Sequence, residues 1–155
     1  MIKIREVNID DTDLIFEWSN DPLVRAASFS SEKISIEDHK RWMQSHMDSD
    51  SSFLFIATLR GLEIGLVRFT EDNENWLIGV NLNPNERGKR LSSKLIVAGL
   101  NRIIRVSNLP VLAYIKTGNE PSIKAFESAG FIFDSETEVK GAKCYLYVWK
   151  SEDLI

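Results

Sequence analysis

The sequence has a single cysteine, Cys144, among its 155 residues. One cysteine excludes an intrachain disulfide and a zinc cluster built from several thiolates, and it is typical of a protein from a reducing compartment. No uncharged apolar run approaches the roughly 18 residues of a membrane-spanning helix, and the first residues lack the basic and then apolar layout of a signal peptide. We therefore expect a soluble cytoplasmic protein without a metal site.

The sequence also lacks an excess of positive charge. Its 19 Lys and Arg residues are outnumbered by 23 Asp and Glu residues, which gives a formal net charge of -4. Proteins that hold a phosphate backbone over a broad surface carry the opposite sign, so we predict neither nucleic acid nor membrane among its partners. With 43% hydrophobic and 27% charged residues, the chain has the composition and length of one globular domain.

The first third of the chain shows the pattern of one strand and two helices. Ile2 and Ile4 alternate with polar residues as in a strand, and Asp10 or Asp11 can cap a helix. The apolar face of that helix holds Leu14, Ile15 and Trp18. A second helix is predicted from Ser35, because an acid follows this N-cap three residues later. The residues that recur at helical spacing along it are Ile36, His39, Met43, His46 and Met47.

The rest of the chain alternates between strand and helix patterns. Three strand-like runs separated by short polar turns predict an antiparallel meander, and they cover residues 53–59, 64–69 and 76–82. After a break, a long apolar stripe from Leu91 to Ile104 predicts a helix. A strand at 111–115, a short helix ending at Gly130 and two final strands at 131–139 and 143–149 complete the predicted order.

Two motifs within this order resemble the GCN5-related N-acetyltransferases. Their diphosphate loop, Gln/Arg-x-x-Gly-x-Gly/Ala, is represented by residues 87–92, in which Arg87 fits, Arg90 replaces the middle glycine and Ser92 replaces the last small residue. A second signature, Asn followed eleven residues later by Gly-Phe, is met by Asn119 and Gly130. The resemblance implies one α/β (α+β) acetyltransferase domain over residues 1–155, with a mixed, mostly antiparallel sheet flanked by helices. It also implies acetyl-CoA as the acetyl donor.

Residues 87–92 have a physical reason to bind a diphosphate. A helix N-terminus presents unpaired backbone N–H groups and a partial positive charge to an anion. Arg87, Lys89 and Arg90 are unfavourable there unless an anion or a nearby acid compensates for them. Two outcomes stay open at Arg90, since its side chain can crowd the diphosphate or reach another phosphate. The predicted cofactor-binding residues are Leu82, Asn83, Arg87, Gly88, Lys89, Arg90, Leu91, Ser92, Asn119 and Phe126.

Fewer residues qualify for proton transfer. Many members of the family place a Tyr seven residues after the signature Asn as the general acid, and this chain has Phe126 there, so Tyr114 or a water molecule is the alternative donor. His39 is the leading candidate base, because an imidazole has an unperturbed pKa near 6.5, although a His on an apolar stripe is more often a hydrogen-bonded core residue. Glu120 is a further candidate for binding or proton relay, or else it only favours its helix N-terminus.

The acceptor prediction depends on the N-terminal third. Residues 18–25 and 35–42 are similar to the branch of the family that modifies the 4-amino group of UDP-linked amino-deoxy sugars, as in the pseudaminic acid pathway. That resemblance implies an aromatic patch for the sugar and polar contacts to the sugar or nucleotide. The aromatic residues would be Trp18, Phe29 and Trp42, and the polar ones Arg25 and His39.

Several alternatives remain open on sequence grounds. Trp18 and Trp42 can be core residues of two amphipathic helices, and Arg25 can be an ordinary surface charge. A weaker likeness to ribosomal-protein N-terminal acetyltransferases suggests a peptide acceptor. A catalytically silent CoA-binding module is a third interpretation, which Phe126 and Arg90 favour. The chain is expected to be a monomer or a homodimer.

Overall fold

The computed structural model describes residues 1–151, in which seven strands form one sheet in the order β1-β2-β3-β4-β5-β7-β6. The strands are β1 Ile2–Glu6, β2 Ser52–Leu59, β3 Leu62–Asp72, β4 Asn75–Leu82, β5 Val111–Lys116, β6 Ile132–Val139 and β7 Ala142–Trp149. The helices are α1 Thr12–Ser19, α2 Pro22–Ala27, α3 Ile36–Met47, α4 Ser92–Ile103 and α5 Glu120–Ser128. This confirms the predicted mixed, mostly antiparallel sheet flanked by helices.

One strand pair differs from the others. β4 and β5 are parallel, whereas each remaining neighbouring pair in the sheet is antiparallel. They pair only where Trp76 faces Val111 and Leu77 faces Leu112. Beyond that point β4 stays bonded to β3 and β5 stays bonded to β7. The sheet therefore splits between β4 and β5, and the split exposes backbone groups on both inner edges.

The two faces of the sheet carry separate cores. Because successive strand residues point to opposite faces, Val67 of β3 meets α4, where a Cβ at Gly99 would lie 2.6 Å from the Val67 side chain. The neighbouring Leu66 faces the other way. It belongs to a smaller core under α1 and α3, whose buried members are Ile15, Trp18, Met43, Leu54, Ile56 and Leu66. The helices on the two faces thus pack over different apolar cores.

The first helix begins where the prediction places it, but without the predicted cap bond. Asp11 is the N-cap residue of α1 and makes no side-chain cap bond to it. Asn8 starts a short 3-10 turn before the helix, since its side chain accepts a hydrogen bond from the Asp10 N–H at 2.9 Å. The Asp11 carboxylate is occupied by Arg5, whose two terminal nitrogens each donate to it at 2.8 Å. The same carboxylate accepts a hydrogen bond from the Asn8 N–H at 2.9 Å, so it closes the capping box of the 3-10 turn and makes no cap bond to α1.

The helix α2 was not predicted. The Asp21 carboxylate caps it by accepting hydrogen bonds from the backbone N–H groups of Leu23 at 3.1 Å and Val24 at 3.3 Å. None of its residues is buried, so no apolar periodicity marks it in the sequence. In contrast, Ser35 accepts a hydrogen bond from the Asp38 N–H at 3.1 Å, which confirms the predicted start of α3.

The final helix and the last strands follow the prediction closely. Asn119 caps α5, and Gly130 ends it with a φ of 100°, a left-handed value that favours glycine. The β6–β7 hairpin turns at Lys140 and Gly141, with φ values of 48° and 81°. No helix within residues 1–151 is long and apolar enough to cross a membrane.

Candidate active site

The split between β4 and β5 opens into a cleft of about 1640 Å³. Its floor consists of the diverging strands, beginning at Leu77 of β4 and Leu112 of β5. Its walls come from α2 and the following loop, from α3, from the N-terminal ends of α4 and α5, and from the β6–β7 hairpin. The cleft therefore joins segments that are far apart in the sequence.

The loop before α4 offers backbone donors at one end of this cleft. Gly88 and Arg90 both have positive φ values, 79° and 57°, so the chain turns sharply twice before Ser92 starts the helix. No side chain caps the helix, and the backbone N–H groups of residues 88–94 find no hydrogen-bond acceptor within residues 1–151. Consecutive N–H groups in such a turn and helix end form a concave anion site.

Acids compensate two of the three cations in this loop. The Lys89 Nζ lies 2.6 Å from the buried Glu86 carboxylate, and the Arg87 guanidinium pairs with Asp21. Arg90 is exposed and has no ion-pair or hydrogen-bond partner within the described part of the chain. Of the two ways to balance these charges, nearby acids therefore account for Arg87 and Lys89. The backbone N–H groups stay open to a ligand.

The other predicted cofactor residues lie in three settings. Leu82, Arg87, Ser92, Asn119 and Phe126 line the cleft. Leu91 is 6% exposed and packs in the core. The Asn83 amide caps the turn after β4, because its oxygen accepts from the Asn85 N–H at 3.0 Å and its nitrogen donates to the Glu63 carbonyl at 3.0 Å. The Asn83 amide thus shapes the loop through both its nitrogen and its oxygen.

Arg25 holds the acceptor side of the cleft together. Its Nε donates to the Ser19 carbonyl at 2.6 Å, one terminal nitrogen donates to the Ser30 carbonyl at 2.8 Å, and the other donates to the Ser28 hydroxyl at 3.2 Å. Arg25 lines the cleft, as its predicted role requires. Its donors are nevertheless committed to the loop after α2, so its observed contacts position that loop.

This loop also reaches across the cleft. The Lys116 Nζ at the end of β5 donates to the Ala26 carbonyl at 2.9 Å, and the Lys140 Nζ at the β6–β7 turn lies 3.1 Å from the Ser30 hydroxyl. The Lys116 ammonium also lies 5.9 Å from the centre of the Phe29 ring. These contacts form a roof over the cleft.

Two of the three predicted aromatic residues line the cleft, and the third does not. Phe29 and Trp42 are cleft residues. Trp18 is 3% exposed and packs in the core under α1 and α3. Its position on the apolar face of α1, which points to the sheet, removes it from the acceptor patch that we expected.

His39 is held more tightly than a general base would require. It is 1% exposed, and its Nε2 lies 2.9 Å from the Thr12 carbonyl, so Nε2–H is the donor and only Nδ1 can accept a proton. Burial lowers the pKa of His39, against the opposing effects of the Thr12 carbonyl and the Asp13 charge. His39 therefore packs as a neutral ring between α1 and α3.

The two remaining candidates for proton transfer lie apart from each other. Tyr114 is 36% exposed and lines the cleft from β5. Glu120 is exposed at the first position of α5 and does not line the cleft. Phe126 packs in the core, with its ring centre 5.0 Å from that of Phe131. Tyr114 is thus the candidate with a polar group beside the open ends of the strands.

Sequence reasoning did not single out Arg68, which lines the cleft. It lies in β3 opposite Gly79 of β4, and its guanidinium carbon is 6.0 Å from the centre of the Trp42 ring. The neighbouring His46 has a buried Nδ1 without a hydrogen-bond partner within residues 1–151. The signal was present in the sequence, because Arg68 is the one charge inside the apolar run from Ile64 to Phe69.

A family model and one curated relative match parts of this sequence. The family model described as "Acetyltransferase (GNAT) domain" matches residues 2–132. Mycothiol acetyltransferase of Corynebacterium aurimucosum is 35% identical over 57 residues, which cover 37% of this chain and 19% of that protein. The chain thus spans only about a fifth of this curated relative.

Solved structures are similar over nearly the whole chain. Spermidine N-acetyltransferase from Vibrio cholerae, in complex with CoA and spermine, has a TM-score of 0.86 at 16% identity and covers 97% of this chain and 96% of its own. The aminoglycoside acetyltransferase AAC(6')-Ib, in complex with coenzyme A and kanamycin, has a TM-score of 0.85 at 18% identity, with coverage of 98% and 96%. The chain therefore belongs to the GNAT acetyltransferase family, which confirms the family predicted from its motifs.

Proposed function

We propose that this protein transfers the acetyl group of acetyl-CoA to the amine of a small, phosphate-bearing acceptor, with a nucleotide-linked amino-deoxy sugar as the preferred class. The charge of the cleft carries this proposal. Its lining includes seven Lys or Arg side chains and two carboxylates, although the whole chain has a net charge of -4. A cleft of the opposite sign to its protein is suited to anionic ligands.

The donor half of the proposal uses the backbone. The diphosphate of acetyl-CoA fits the open N–H groups of residues 88–94. The pantetheine arm would then follow the split between β4 and β5, where unpaired backbone groups beyond Leu77 can hold the thioester carbonyl. The similar structures named above hold CoA, which supports the same donor here.

The acceptor half uses side chains. A polycationic amine, such as the spermine or kanamycin of the similar structures, would be repelled by the basic lining. The roof formed by Lys116 and Lys140 over the cleft encloses a compact molecule and obstructs an extended peptide. Phe29 and Trp42 offer apolar faces for a sugar ring. These features favour the nucleotide sugar over the peptide acceptor.

Few groups are available to move protons during transfer. The amine nitrogen bonds to the thioester carbonyl carbon, the C–S bond breaks, and the thiolate gains a proton, for which Tyr114 is our donor. The two cleft carboxylates, Glu32 and Asp38, lie on the acceptor wall, and Asp38 pairs with Arg41. We therefore assign the loss of the amine proton to solvent, and His39 to the positioning of α1 against α3.

A thiol-release screen tests this function. Purified protein with acetyl-CoA is offered a UDP-4-amino sugar, the same amino sugar without nucleotide, spermine and an N-terminal peptide. We expect the highest kcat/KM with the UDP-4-amino sugar and a lower kcat in Tyr114→Phe at unchanged KM. A preference for spermine or the peptide would overturn the acceptor class. Binding of acetyl-CoA without thiol release from any amine would instead identify a silent CoA-binding module.

A further inference from the structure

The Arg68 guanidinium occupies a place that the strands leave open for it. An added Cβ at Gly79 would lie 2.3 Å from a terminal nitrogen of Arg68, so the absence of a side chain at Gly79 allows the guanidinium to lie across β4. The Trp42 ring lies on another side at 6.0 Å. Arg68 is thus fixed on the floor of the cleft, half-buried between β4 and α3.

No group of residues 1–151 neutralises the Arg68 cation. Within residues 1–151, Arg68 makes no salt bridge and no side-chain hydrogen bond, in contrast to Arg25 with its four acceptors. Burial, and then the charge of Arg25, lower the pKa of Arg68, but a guanidinium stays protonated. A half-buried charge of this kind is costly unless an anion from outside the chain pairs with it.

Arg68 also lies apart from the donor loop, which we define as residues 88–94 with their open backbone N–H groups. Val67 and Gly65 face α4, the helix whose N-terminus carries the open N–H groups, while Arg68 points to the opposite face of β3 with Trp42. The diphosphate of the donor and the Arg68 guanidinium are therefore placed on different faces of the sheet. One ligand anion at the α4 end does not neutralise both.

We propose that Arg68 is a specificity-determining residue that binds a phosphate of the acceptor, on the floor formed with Gly79 and Trp42. This inference rests on the proposed function, since it names the group by which that acceptor is recognised. The planar fork of Arg68 can donate two parallel hydrogen bonds to phosphate oxygens. Arg25, whose donors are occupied by the loop, adds positive potential beside it.

Calorimetry with UDP on the CoA-saturated protein tests the proposal, because bound CoA keeps UDP from the donor loop. We expect UDP to bind and uridine not to bind. Arg68→Met should weaken UDP binding by about tenfold or more, and Arg68→Lys by less, since Lys keeps the charge and loses the fork. Arg105→Met removes an exposed charge beside β1 and should change nothing.

The outcomes separate this inference from the proposed function. If UDP does not bind, or binds equally to the Arg68→Met and Arg105→Met proteins, the phosphate role of Arg68 is wrong, whatever the thiol-release screen shows. If UDP binding depends on Arg68 but no amine releases thiol, the phosphate site stands and the transferase proposal fails. An unchanged affinity for CoA shows that Arg68→Met is folded. If Arg68→Met does not fold, the affinity of Arg68→Lys for UDP decides instead.

Discussion

The two ends of the cleft present different groups to an anion. At the α4 end, the proposed donor end, these are the open backbone N–H groups of residues 88–94, while two of the nearby cations are paired with acids. At the α3 end, the proposed acceptor end, the available groups are side chains, and Arg68 is a cation without an acid partner within residues 1–151. Backbone geometry supports one donor shared by many enzymes, whereas side chains can be exchanged to select an acceptor.

The largest effect is expected from a bulky residue in the donor loop. Gly88→Val places a β-branched side chain at a φ of 79°, which costs about 1–2 kcal/mol of strain and turns the adjacent N–H groups away. We expect the KM for acetyl-CoA to rise by about tenfold, the equivalent of 1.4 kcal/mol, while the acceptor KM stays within about twofold. Steady-state kinetics with each substrate varied in turn measures both.

Gly61→Val is the matched control for this change. Gly61 has a φ of 80° in the β2–β3 turn, and like Gly88 it has open space around an added Cβ. Both variants should lose similar thermal stability, but Gly61→Val should keep the KM for acetyl-CoA. Equal KM values in the two variants would show that strain alone, and no contact with the donor, explains the effect at Gly88.

A change at Asp21 can break the separation of the two ends. Its carboxylate caps α2 and pairs with Arg87, which directly precedes the donor loop. Asp21→Ala removes the cap, so we expect a loss of about 1 kcal/mol in the free energy of unfolding and a rise in KM for the acceptor. Asp21→Asn keeps a good cap and should lose less than half as much. Urea denaturation and acceptor kinetics of both variants check this.

One outcome for the two Asp21 variants would contradict the separation of the two ends of the cleft. If both raise the acceptor KM equally, the pairing with Arg87 rather than the cap organises the acceptor wall. The two ends of the cleft would then be coupled through charge, and the division between backbone and side-chain recognition would be too sharp.

The loop before α4 and the cap of α5 could be predicted from the sequence because their geometry is local. Residues 87–92 follow one another, and Asn119 and Gly130 bound a single helix, so their spacing alone indicates the loop and the cap. The acceptor end depends on pairings between distant segments. Register places Arg68 opposite Gly79, and neither residue indicates the other in the sequence. The same reason explains why Trp18 was assigned to the acceptor patch, since its burial depends on how α1 packs on the sheet.

Lowering the pH should destabilise α3, at the acceptor end of the cleft, before it destabilises α4 at the donor end. Burial lowers the pKa of both His39 and His46, whereas an imidazole in the unfolded chain titrates near about 6.5. Between these values the unfolded chain binds more protons, so stability is full above about pH 6.5 and falls as the pH is lowered through the folded pKa values. Both histidines lie on α3, and neither lies near α4.

Melting temperatures of the wild type and of His39→Gln, between about pH 5 and 8, measure this effect. Below about pH 6.5 we expect the melting temperature of the variant to change less steeply with pH, because the variant has lost one proton-binding group of the unfolded chain. Hydrogen exchange should show earlier opening of α3 than of α4 in the wild type. Identical slopes, or earlier exchange in α4, would contradict the placement of the neutral histidines.

The smallest change concerns Arg90, where the chain departs from the glycine of the family pattern. Its φ of 57° is left-handed, so Arg90→Gly relieves about 1 kcal/mol of backbone strain in the folded state. Part of this gain in stability is lost, because glycine raises the conformational entropy of the unfolded chain. We expect a net rise in melting temperature of about 1–3 °C.

The N–H groups keep their direction in the Arg90→Gly variant, because glycine adopts the same φ without cost. Arg90 is exposed, so any attraction between its guanidinium and a phosphate is weakened by salt. The KM for acetyl-CoA should therefore rise in Arg90→Gly at low ionic strength and match the wild type at about 1 M salt. A lower KM at both salt concentrations would mean that the Arg90 side chain crowds the diphosphate, and that even the donor end is tuned by a side chain.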